Sequence, residues 1–144
     1  MSVTVLTPAS IYRLTTLEAV MAEFTLEDQL PFAESLIDQA SAAVARECKT
    51  IFAQQAYREL QRGEYQTRYL FLRYTPMTPI VSVSLGATVM TDYRIESAEA
   101  GMLYRRAGWW LPEWSEDEWQ IDYVSGYVLP EQLNPPDPTG PTLR

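Results

Sequence analysis

The stretch GMLYRRAGWWLPEWSEDEW, Gly101 to Trp119, holds all four tryptophans of the chain, the adjacent arginines Arg105 and Arg106, and the acids Glu113, Glu116, Asp117 and Glu118. Three chemistries fit such a mixture. Paired carboxylates can cleave a glycosidic bond, provided burial raises the pKa of one of them. Three consecutive acids in a polar turn normally sit in water, which counts against that use. The same run lacks the spacing and the glycine of a calcium-binding EF-hand loop. Aromatic faces beside acids can hold a sugar, but no alternation of rings and no metal-ligand spacing strengthens that case. The third chemistry is protein contact. Exposed Trp and Arg are the residues most enriched at binding hot spots, and Arg pairs readily with carboxylates. Arg105, Arg106, Trp109, Trp110 and Trp114 are therefore the expected contact residues, with the acids of a neighbouring copy as their partners. Trp119 lies in a strand pattern and is as well suited to a core.

The rest of the composition narrows the choice. The chain contains no histidine, which removes the usual general base and the commonest metal ligand. Lys49 is the only lysine, and no P-loop, GxGxxG or CxxC is present. An enzyme is disfavoured, and no cofactor or metal is expected. The single cysteine, Cys48, reads as a small buried hydrophobe in a reducing compartment. No run approaches the roughly 18 apolar residues of a membrane span, and the N-terminal segment has no secretory pattern. Net charge is −8, divided as −4 over residues 1–50, +2 over 51–110 and −6 over 111–144. That balance argues against tight binding of a phosphate backbone. It lets a basic flank meet an acidic one on another copy.

The elements that position these residues follow from periodicity. Leu17, Val20, Met21 and Phe24 predict a short helix capped by Thr15 or Thr16. Leu30, Ala33, Leu36, Ile37, Ala40, Ala43, Val44 and Cys48 form the apolar stripe of a long helix, entered through Thr25 and Asp28. A hairpin of Gln54–Gln61 with Gln66–Tyr74 is expected around Gly63. Ile80–Leu85 and Trp119–Val124 alternate as half-buried strands, with short strands at Thr88–Met90, Tyr93–Ile95 and Met102–Tyr104. The tail, Leu129–Arg144, holds five of the ten prolines and reads as extended, since proline breaks ladders and helices. The expected architecture is α+β: an N-terminal helical core of a short and a long helix, a β-hairpin or small antiparallel sheet inserted in it, and an extended Pro-rich tail. One domain is expected over residues 1–128 and the tail over 129–144.

The order of the pieces resembles a known family. A Thr-Leu-Glu helix leads to the long helix bearing LIDQAS, then to Leu70-Phe71-Leu72, Pro79-Ile80-Val81-Ser82-Val83, Gly86, Tyr93-Arg94-Ile95, Gly101-Met102-Leu103-Tyr104-Arg105, Gly108-Trp109, and Ile121-Asp122-Tyr123-Val124-Ser125-Gly126-Tyr127 with Pro130. This is similar to the head–tail connector (adaptor, or head-completion) proteins of tailed bacteriophages and gene transfer agents, over roughly Thr15 to Leu143. Lys49-Thr50-Ile51-Phe52 departs from relatives that carry an Arg two residues before the Phe. Relatives also continue into further helices past the Pro-Thr-Leu position.

The resemblance implies a virion structural protein at the neck, made in the host cytoplasm. It would form a ring of twelve copies under the portal protein, meet the next neck, stopper or tail protein, and pass genomic DNA without sequence-specific binding. Acids of residues 1–50 or 111–144 lining that channel would repel phosphates and keep DNA centred. A lining of Arg62, Arg68 and Arg73 would refute that. Prolines lower the entropy lost on docking, so Pro130, Pro135, Pro136 and Arg144 join the expected contact residues. The alternative is a carbohydrate- or peptide-binding module using Trp109–Trp119. A small hydrolase using Glu113, Glu116 or Asp117 is a third.

Overall fold

The computed structural model describes residues 2–9, 11–23 and 30–130. Strands take a larger share of the described residues than helices. The expectation of a helical core carrying a β insertion is therefore overturned. The physical reason lies in side-chain size. The long helix presents alanine at many positions, while the strands carry the Trp, Tyr, Ile and Leu side chains that bury most area.

The chain forms two compact units. One takes the first eight residues and Gln55–Gly126; the other takes Ala9–Gln54 and continues from Tyr127. The domain expected over 1–128 thus comprises parts of both.

The first unit holds two antiparallel sheets. Strands β1 (Ser2–Thr7), β2 (Gln55–Gln61), β3 (Tyr69–Phe71), β4 (Met77–Leu85), β5 (Thr88–Met90), β6 (Arg94–Ser97), β7 (Met102–Tyr104) and β8 (Trp119–Ser125) occur in that order. The larger sheet runs β1-β2-β8-β4-β5 and the smaller β3-β7-β6. The expected hairpin of β2 with β3 does not form. β2 pairs instead with β1 and β8, and β3 with β7. Alternation in β8 sends Trp119, Ile121, Tyr123 and Ser125 to the buried side, as a period of two requires. Trp119, Ile121 and Tyr123 meet Tyr57, Leu70, Leu72, Met77, Val83, Leu103 and Trp109 in one core drawn from both sheets.

Two glycines fix the turns. Gly63 has φ 73°, and a Cβ there would lie 2.2 Å from the Trp109 carbonyl oxygen. Gly101 has φ 64°, and its Cβ would lie 2.7 Å from Thr75 Cγ2. Both positions exclude a side chain on conformation and on space.

The second unit is helical. Helix α1 (Leu17–Glu23) starts where Thr16 Oγ1 accepts the Ala19 amide at 3.1 Å. Helix α2 (Leu30–Cys48) matches its apolar stripe in length. It ends at Lys49, φ 52°, with Thr50 N donating to Ala45 O and Lys49 N to Arg46 O. That pairing satisfies the last carbonyls by a left-handed cap. Arg13 grips Asp38 with two bonds of 2.6 and 3.1 Å, and the Leu14 amide donates to Ser41 Oγ. These contacts tie the segment before α1 to α2. Ala33, Ile37 and Ser41, one helical turn apart, are buried, while Phe32, Leu36 and Val44 are exposed. The predicted stripe is thus only partly covered, and Cys48 is exposed rather than buried. Among the described residues, no helix is long and apolar enough to cross a membrane.

Candidate functional site

The segment from β7 to β8 divides by side-chain direction. After β7 a tight turn forms, with Gly108 N donating to Arg105 O at 3.0 Å and Gly108 at φ 81°. Trp109 then turns inward and is 0% exposed. Its indole Nε1 donates to Arg68 O at 3.1 Å. Its carbonyl accepts the Trp119 indole at 2.6 Å, and the two rings meet edge to face at 5.1 Å. Trp109 and Trp119 are the largest fully buried side chains. The expectation that Trp109 contacts a partner is corrected: it is a core residue whose polar edge is satisfied internally.

Arg105 is likewise held from within. Its guanidinium donates to the Gly108 carbonyl at 2.6 Å and to Asp92 at 3.0 Å, and it lies 4.9 Å over the Trp119 ring. The arginine holds the Asp92 carboxyl below its ordinary range, chiefly through this hydrogen bond. Arg105 braces the core and offers little to a partner.

The remaining expected residues face outward. Trp110 is 48% exposed and Trp114 85%. Trp110 meets the edge of Tyr65 at 5.3 Å. Together with Gln66, Thr67, Arg68 and the exposed Arg106, they line a groove of about 340 Å3. A second groove of about 380 Å3, lined by Arg62, Tyr69 and Phe71 among others, also includes Thr67. The outer row of the small sheet continues this character: Tyr69 packs on Tyr104 at 5.4 Å, and Arg94 lies 4.4 Å over the Tyr104 ring. Neither Arg68 nor Arg106 makes an ion pair among the described residues.

The acidic run is open to water. Glu113, Glu116, Asp117 and Glu118 are all exposed. No group of three metal-ligating side chains comes together among the described residues. Pro130 is exposed. Pro135, Pro136 and Arg144 lie outside the described residues.

One buried acid escaped the sequence reading. Glu59 is 0% exposed. It accepts hydrogen bonds from the Tyr123 hydroxyl at 2.8 Å, the Gln61 side-chain amide at 2.5 Å and the Arg73 amide at 3.1 Å. Burial, reinforced by the bond to Glu59, drives the Tyr123 phenol far above its ordinary range. The only sequence signal was position: Glu59 shares the inward face of β2 with Gln55 and Tyr57. Its three donors make it a tie within the sheet unit. No protein-family model, no curated protein and no solved structure matches the chain.

Proposed function

We propose that this protein is a structural subunit of a phage-type head–tail connector. Copies form a ring beneath the portal protein, extend the DNA channel and receive the next neck or tail component. The observation that supports it is the character of the sheet unit's surface. Tyr65, Phe71, Trp110 and Trp114 are large and exposed, and Arg68 and Arg106, which have no carboxylate partner among the described residues, line the groove with Tyr65 and Trp110. Surfaces of this kind mark sites covered by another protein. The order of elements, which resembles that of the connector family, narrows the partner to a particle vertex. Many modest contacts repeated around a ring make assembly steep through multivalency.

Sedimentation of the full chain with and without portal protein tests this reading. A discrete multi-copy species, formed alone or on the portal, is the expected result. A chain that stays monomeric in both conditions contradicts it. Deleting Pro130–Arg144 is expected to impair head–tail joining while the domain stays folded; normal infectious assembly of the deletion would remove the tail from the docking surface.

The Tyr65–Trp110 pair favours a second reading, a carbohydrate- or peptide-binding module. Saturable glycan binding lost on Trp110→Ala, in a chain that never assembles, is its signature.

A further inference from the structure

We propose that copies of this chain join by seating the acidic loop bearing Trp114 in the groove between Tyr65, Arg68, Arg106 and Trp110 of another copy. The inference rests on the assembling reading above and names its contact.

The loop is built to present its tryptophan. Ser115 N donates to Pro112 O at 3.0 Å, and Asp117 N to Ser115 Oγ at 3.3 Å. The Arg62 guanidinium holds the Pro112 carbonyl at 2.9 Å, anchoring the base. A side chain displayed from a hydrogen-bonded turn loses less entropy on docking than one on a loose strand. Trp114 is nonetheless 85% exposed, so the described residues leave most of it uncovered. Glu113 and Glu116 flank it, both exposed.

The groove offers the complementary chemistry. The Tyr65 ring and Trp110 stand edge to face at 5.3 Å and give an aromatic wall. Arg68 and Arg106 supply two cations without carboxylate partners among the described residues. An indole entering there gains aromatic contact and a cation over its face. The flanking carboxylates bring the charges that the two guanidinium groups lack. The signs agree along the sequence as well, with net +2 over residues 51–110 and −6 over 111–144.

Charge reversal in the full chain tests the contact. One variant reverses the groove, Arg68→Glu with Arg106→Glu; another reverses the loop, Glu113→Lys with Glu116→Lys. All four positions are exposed, so both variants are expected to unfold at the wild-type temperature; Arg106→Gln serves as the milder groove change. In sedimentation velocity, each variant alone should associate at least about tenfold more weakly than wild type. An equal mixture of the two should regain wild-type association, because each reversed groove then meets a reversed loop. Trp114→Ala should weaken association comparably, and raised salt should weaken that of wild type. Variants that associate as wild type does would overturn this contact while leaving the assembling reading intact. Loss in both variants without recovery on mixing would also overturn it, since the groove would then hold something other than the loop. A wild-type chain that stays monomeric alone and with portal would remove the assembling reading and the contact with it.

Discussion

The sheet unit encloses a core of large side chains that the described part of the helical unit does not match. In the sheet unit, Tyr57, Met77, Val83, Leu103, Trp109, Trp119 and Ile121 are all at most 1% exposed. Its buried polar groups also find partners, as Glu59, the Trp109 and Trp119 indoles and the Tyr123 hydroxyl show. In the helical unit, α2 buries Ala33 and Ile37 but leaves Phe32 59%, Leu36 45% and Val44 44% exposed. An apolar groove of about 290 Å3 runs along it, lined by Leu14, Val20, Leu36, Ile37, Ala40 and Val44 among others. Among the described residues, the first unit therefore buries the larger side chains. A large aromatic buries roughly 150–250 Å2, worth about 4–6 kcal/mol before entropic costs at about 25 cal/mol/Å2. The small side chains along α2 supply far less.

The contrast can be broken most directly by truncation. Trp119→Ala removes a fully buried ring and the indole bond to Trp109 O, and should cost roughly 3–5 kcal/mol in chemical denaturation. Leu36→Ala on the exposed stripe should cost under about 1 kcal/mol. Equal losses at the two positions would abolish the distinction.

Tyr123→Phe comes next. It removes the donor to Glu59 and the acceptor of the Tyr74 amide, and should cost about 1–3 kcal/mol. It also carries a pH signature. The folded phenol holds its proton while an unfolded tyrosine loses it above about pH 10. The unfolded state then binds fewer protons, so stability falls as pH rises through that range. Tyr123→Phe should flatten this alkaline loss in denaturation curves measured between pH 8 and 11.

A smaller effect lies on the acid side, one in each unit. Arg105 lowers the pKa of Asp92, and Arg13 that of Asp38, in both cases chiefly by hydrogen bonding. A carboxyl depressed in the folded state adds stability above its ordinary pKa, and that share is lost as pH falls through the depressed value. Melting temperatures of wild type and Asp92→Asn should therefore converge below about pH 4. Both carboxylates are at least half exposed, so the gap at neutral pH should be small. The smallest expected change is Phe32→Gln, within about 0.5 kcal/mol of wild type because the ring already faces water.

The units also differ in how legible they were. α2 could be read because its 3.6-residue stripe and length are local properties. β8 could be read because Trp119-Gln120-Ile121-Asp122-Tyr123-Val124 alternates strictly. Pairing could not be read, because register and partner are set by distant residues. β2 and β3 are near neighbours in sequence yet lie in different sheets. β1 has β-branched character in Val3-Thr4-Val5, but local pattern does not mark it as a strand, since its partner β2 begins nearly fifty residues later. Dominance of the sheet follows from such distant pairings. Within the candidate site, Trp109 and Trp110 are adjacent and identical in type, and backbone direction alone sends one inward and one outward. Arg105 and Arg106 divide the same way. Residue type indicated that an interaction surface was present, and only the fold decided which members belong to it.

Electron microscopy of purified particles carrying a label on this protein tests the central claim most directly. A ring of label at the junction of head and tail is the expected result. Particles of normal composition that lack the label, with the protein left behind as a monomer, would contradict it.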